Sequence, residues 1–161
     1  MRTHVATTLH DEHMATLQLI GRLEALLGQR QPDIADAPTA ALLRDLVRAV
    51  TLEIGSHFRF EEVFLFPRLL DAGEHEMISL LTEEHERIRP LALRLAALAR
   101  HRRNELVTPQ QWAEFTTTGA DFTDRLASHV QKEEMGMLPV LDDLLDAETD
   151  GTLALALAGL R

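Results

Sequence analysis

Two stretches of eleven residues constrain this chain more than anything else in it. His57 to Pro67 reads HFRFEEVFLFP, and His129 to Pro139, 72 residues further on, reads HVQKEEMGMLP. Each places a His four before a Glu, a second Glu directly after it, and a Pro ten after the His. Residues at i and i+4 lie one above the other on a helix, so each copy sets an imidazole beside a carboxylate on one face. The same offset of 72 brings His13 onto His85, with DEH in the first copy and EEH in the second. His to His is 44 residues in both halves, His13 to His57 and His85 to His129. One helical hairpin carrying H…HxxxEE therefore occurs twice.

The sequence around these motifs is helical throughout. Apolar Leu9, Leu17, Ile20, Leu23 and Leu27 follow a helical period, with Thr8 or Thr3 as the capping residue and Gly28 as the close. A second helix is expected from about Pro38 to Leu70 and a third from about Glu74, with Pro90 inside it as a source of a kink. Thr108 followed by Pro109 is a helix start, and the fourth helix is expected to reach about Asp146. Four long amphipathic helices and no strand signal predict an all-α, up-down-up-down four-helix bundle with a short C-terminal extension. The whole chain, 1–161, reads as a single domain: hairpins over about 9–70 and 74–146, then an apolar tail over 150–161. The tail either covers one end of the bundle or meets a second subunit in a homodimer; its sequence fits both.

Composition narrows the chemistry. Sixteen Lys and Arg against 26 Asp and Glu give a net charge of −10, the wrong sign for a nucleic-acid partner. No run is apolar for long enough to span a membrane and no basic-then-apolar leader opens the chain, so the cytoplasm is the expected compartment. With no Cys and no Tyr, thiolate ligands, a Cys nucleophile and a tyrosyl radical are excluded. Redox chemistry has to come from a bound metal.

In the predicted bundle the helices of the two halves are related by a pseudo-twofold axis. Inward-facing His13, His57, His85 and His129 ring that axis, and Glu61 and Glu133 face each other across it. Four imidazoles and two carboxylates suggest two metal ions, each with two His, bridged by both Glu. A donor set of nitrogen and oxygen without sulfur fits iron best, with manganese or zinc as the other candidates. An added oxo or hydroxo bridge gives five ligands per ion and leaves one position open on each.

The doubled H…HxxxEE…P pattern resembles the bacterial hemerythrin-like (HHE cation-binding) family over about residues 9–141. The resemblance implies a bundle holding a bridged di-iron centre on His13, His57, Glu61, His85, His129 and Glu133. It also implies a small-molecule partner: dioxygen, nitric oxide or peroxide, bound for sensing, carriage or detoxification. Alternatives within the same resemblance are a di-iron enzyme with peroxide-dismuting or oxidase activity, and an iron-handling protein. Oxygen-carrying hemerythrins supply a fifth His from an HxxxH pair in the third helix; here Leu81 stands four before His85. The cluster-repair members carry an N-terminal Cys-containing segment, and this chain has no Cys.

The two halves differ in ways that bear on specificity. His10, three before His13, is a candidate fifth imidazole ligand, and its counterpart is Thr82. His4, His75 and His101 fall in terminal or linker sequence and read as solvated. Glu62 and Glu134 point about 100° away from the neighbouring Glu and read as supporting or surface groups. Phe64 corresponds to Gly136, which predicts access to the metals on the Gly136 side, walled by Phe64.

Overall fold

The computed structural model describes residues 2–30, 36–101 and 108–160. Among them there is no strand, and five helical rods account for nearly all of these described residues. Helix α1 is His4–Leu27. Helix α2 runs without a break over 37–71 and α4 over 109–144, while α3 is His75–His101 and α5 is Ala147–Gly159.

Local chemistry sets the ends. Thr3, rather than Thr8, caps α1, accepting from the Ala6 N–H at 3.2 Å. At the other end of the hairpin Gly73 takes φ 96°, a left-handed turn that a β-carbon would strain. Its N–H donates to Leu70 and that of Glu74 to Leu69, both at 3.0 Å, which closes α2 in a Schellman turn. Thr108 and Gln111 form a reciprocal capping box at the start of α4. The last helix begins at Ala147 behind the cap Asp146, three residues before the expected tail, so the stretch AETDG forms its first turn. Helix α3 continues through Pro90.

The apolar side chains form two clusters, and the order in which each helix enters them gives the topology. Helix α1 passes from Val5, Ala6 and Leu9 in one cluster to Ile20, Leu23 and Leu26 in the other. Helix α2 passes back, from Leu42 and Leu46 to Leu65 and Leu69. Helix α3 returns from Ile78 and Leu81 to Ile88 and Leu95, and α4 reverses once more from Phe115 and Phe122 to Met137 and Leu141. This is the up-down-up-down bundle expected from the periodicity. His13, His57, His85 and His129 fall at the crossing point on every helix, so the histidines form a polar layer between two apolar ones.

Helix α5 packs on this same chain. Leu153 and Leu157 join the cluster of Val5 and Leu9. Asp150, 5 % exposed, accepts from the backbone N–H of His4 at 2.8 Å and of Val5 at 3.0 Å. Those two groups have no acceptor within α1, and a carboxylate suits the positive end of the helix. Replacing Asp150 by Ala is therefore expected to cost about 1–3 kcal/mol, measured by denaturant unfolding.

Candidate metal centre

The repeated motif carries a structural feature that spacing alone does not reveal. At Glu61–Leu65 and Glu133–Met137 the helix widens into a π turn. The Phe66 N–H donates to the Glu61 carbonyl and the Leu138 N–H to that of Glu133, each reaching five residues back. Pro67 and Pro139 follow at once, and proline both lacks an N–H and crowds the carbonyl four before it. The π turn relieves that crowding and is seated on the Glu of each HxxxE pair. Such bulges gather at functional sites. Proline ten after His, present in both copies, was the signal for it.

From these turns Glu61 and Glu133 project into the centre of the bundle, both fully buried. His57 Nε2 stands 3.0 Å from Glu61 Oε1, and His85 Nε2 stands 3.2 Å from Glu61 Oε2. Glu133 mirrors this, with Oε2 3.0 Å from His13 Nε2 and Oε1 3.0 Å from His129 Nε2. Two groups result, His13–His57–Glu61–Glu133 and His85–His129–Glu61–Glu133, each compact enough for its ligand atoms to surround one metal ion. Both carboxylates belong to both groups. All six residues singled out from the repeat come together; His10 does not join them.

The protons of the four rings are held on the outside. Nδ1 of His13 meets Glu134 at 2.6 Å, that of His57 meets Glu12 at 2.7 Å, that of His85 meets Glu62 at 2.8 Å, and that of His129 meets Glu84 at 2.9 Å. With Nδ1–H donating to a carboxylate, a neutral imidazole directs its Nε2 lone pair inward. Inside, His13 Nε2 and His57 Nε2 are 3.2 Å apart, as are those of His85 and His129. All four oxygens of Glu61 and Glu133 lack a hydrogen-bond donor. Lone pairs facing lone pairs in a buried layer are unfavourable without a cation between them. The residues present therefore fit a pair of metal ions.

The four outer carboxylates are only partly legible in the sequence. Glu62 and Glu134 were expected as supporting or surface groups, and they support His85 and His13. Glu12 and Glu84 are the residues that precede His13 and His85, and they reach across to the other helix of their hairpin. Repetition of Glu–His at both positions was the available signal. Further partners hold these carboxylates in turn: Arg89 lies 2.7 Å from Glu62, Lys132 pairs with Glu84, and His10 lies 2.8 Å from Glu134. His10 thus braces the carboxylate that orients His13. Outer carboxylates of this kind fix ring orientation and raise basicity, so Glu134→Gln should weaken metal affinity about 10–100-fold in a chelator competition.

Electrostatics agree with a layer built to hold positive charge. Burial disfavours the charged form of His57, but the Glu61 charge and contacts with Glu12 and Glu133 outweigh it and raise its pKa well above the usual imidazole value. Burial likewise opposes charge on His129, yet Glu133, Glu84 and Glu61 push its pKa up to about 9. Desolvation acts to raise the carboxyls of both Glu61 and Glu133, and repulsion from Glu133 adds to it for Glu61; the surrounding imidazoles nevertheless lower Glu61 and hold Glu133 well below the ordinary range. Burial also works against Glu84 and Glu134, which are held low by His129 with Lys132 and by His13 with His10.

The two groups differ in their surroundings. The His85 ring is stacked against Phe58 at 3.7 Å between centroids, and Phe66 lies on it at 5.4 Å. A cavity of about 480 Å³ borders the other group, touching His13, His57, His129 and Glu133. The position equivalent to Phe58 is Val130, which lines that cavity. Gly136 is not on it: a β-carbon there would lie 3.5 Å from Met77 Sδ, and Phe64 packs with Phe60 in the apolar layer. The expected access beside Gly136 is thus displaced to the His13–His57 face, because Met77 of α3 occupies the space that Gly136 leaves.

A four-helix bundle with buried His–carboxylate groups of this composition is a metal-binding bundle. The sequence matches the hemerythrin HHE cation-binding domain over residues 4–141. The chain belongs to that family. No curated protein matches it. Among the described residues no helix is long and apolar enough to cross a membrane.

Proposed function

We propose that the chain is a non-haem di-iron protein that binds dioxygen, nitric oxide or peroxide at the His13–His57 group. His13, His57, Glu61 and Glu133 would hold one ion, and His85, His129, Glu61 and Glu133 the other. The observation that carries this reading is the sharing of two donor-less, fully buried carboxylates between two pairs of Nε2 atoms. A di-iron pair supplies open coordination positions and one-electron steps to such small oxidants. The chain supplies the rest. Glu134, Glu12, Glu62 and Glu84 hold the Nδ1 protons and keep each Nε2 turned inward. Phe58 and Phe66 exclude water from His85, which leaves the His13–His57 side as the approach for a small molecule. Leu81, 1 % exposed within the apolar layer, stands where the oxygen carriers have their fifth His, and this favours sensing or detoxification over simple carriage.

Metal analysis with an optical spectrum of the as-isolated chain tests the proposal. About two irons per chain are expected, with charge-transfer bands that shift on adding azide or nitric oxide. One zinc, or no metal, would overturn it. A spectrum that reverses under vacuum would mark a dioxygen binder, and oxygen evolved from peroxide over many turnovers an enzyme.

A further inference from the structure

The cavity beside His13 and His57 is larger than a gas or peroxide needs. At about 480 Å³ it falls among sites that enclose whole organic molecules, roughly 300–1,000 Å³. Its lining is ordered by chemistry. The polar layer forms one part, aliphatic Ile54, Leu126, Val130 and Leu157 form another, and Arg48 is the one Lys or Arg side chain among the described residues that line it. Arg48 precedes His57 by nine residues on α2, about 13 Å along the helix axis. Arg22, Arg89, Arg94 and Arg125 are each held by a carboxylate, whereas no described carboxylate pairs with Arg48. Of the acidic residues on the lining, Glu12 is turned onto His57, Glu133 belongs to the polar layer, and Asp11 lies exposed at the rim.

Part of this wall is built from outside the family's matched residues. Leu157 and Leu160 come from α5, beyond residue 141. Ser56 Oγ donates to the Leu160 carbonyl at 3.0 Å, which ties that helix to the residue directly before His57. The cavity is therefore enclosed by a segment added to the bundle.

We propose that the cavity binds an amphipathic organic anion, a medium-chain carboxylate being the simplest case. Its acid group meets the Arg48 guanidinium, which offers paired N–H donors to a carboxylate. Its aliphatic body lies along Ile54, Leu126, Val130 and Leu157, and its far end approaches His13 and His57. The inference rests on the proposed function only for what lies at that far end.

Octanoate is the probe, with octylamine and octanol as charge controls, titrated calorimetrically into the as-isolated chain. Octanoate should bind more tightly than octylamine. Arg48→Gln should weaken octanoate about tenfold, the worth of one charge-assisted contact, and leave octanol unchanged. Ala15→Trp, at an exposed position on the lining, should fill the cavity and abolish both octanoate and octanol binding while circular dichroism stays unchanged. No octanoate binding, equal affinity for octylamine, or an Arg48→Gln variant that binds as well as the parent would overturn the proposal. If the chain holds two irons and ignores octanoate, this inference fails alone. If Arg48-dependent binding persists in a chain that takes up no metal, the di-iron reading fails and the anion site stands.

Discussion

Glu133→Ala is expected to strip both metal ions from the chain, while His13→Ala removes one and leaves about one behind. The difference follows from which atoms are shared. Glu133 places one oxygen 3.0 Å from His13 Nε2 and the other 3.0 Å from His129 Nε2, so it belongs to both groups. Glu61 spans the groups in the same way through His57 and His85. Each His, by contrast, serves one group. Metal content per chain after anaerobic loading is the measurement: near zero for Glu61→Ala and Glu133→Ala, about one for His13→Ala or His85→Ala. The loaded chain should also lose most of the thermal stability that metal confers, since an ion that binds only the folded state stabilises it by linkage. Two ions retained by Glu133→Ala would mean that the carboxylates do not bridge. One ion lost from Glu61→Ala and Glu133→Ala alike would point instead to two independent sites.

Much of this arrangement was legible in the sequence, for a physical reason. A His and a Glu four apart must share a helix face, and two hairpins with equal His–His spacing must bring their faces to one level of a bundle. The six inner residues follow from those two facts. What faces them from neighbouring helices does not. Glu12 reads as one acid among 26, and only the packing of α1 on α2 turns it onto His57 Nδ1. The π turns were hidden differently: Pro67 and Pro139 were visible, but their effect falls on the preceding turn, where a helical period gives no sign of an extra residue. The position of α5 depended on Asp150 finding two backbone N–H groups at the far end of the chain. The access route was misplaced for the same kind of reason. Gly136 does remove volume locally, but Met77 from another helix takes it up, and the opening falls where Val130 replaces the bulk of Phe58.

The metal-free chain should lose stability as pH rises from 6.5 to 9, and the loaded chain should not. His129 has a folded pKa of about 9 against an ordinary value of 6.5, so between these the folded state binds more protons than the unfolded one. Stability then falls with rising pH, by on the order of 3 kcal/mol for this group, and His57 acts in the same direction. Glu133 has the opposite sign: its lowered pKa contributes stability above the ordinary 4.5, which is lost as pH drops through the folded value. The chelated protein is therefore expected to be most stable between about 4.5 and 6.5, where both contributions are present. Metal ions compete with those imidazole protons, so binding tightens as pH rises, and filling both groups releases about two protons at neutral pH, one each from His57 and His129. Thermal midpoints of chelated and loaded protein, taken from pH 6 to 9, should diverge as pH rises. Calorimetry in two buffers of different ionisation enthalpy would count the protons. A chelated chain whose midpoint climbs from pH 7 to pH 9 would show that its histidines are not the charged partners of Glu61 and Glu133.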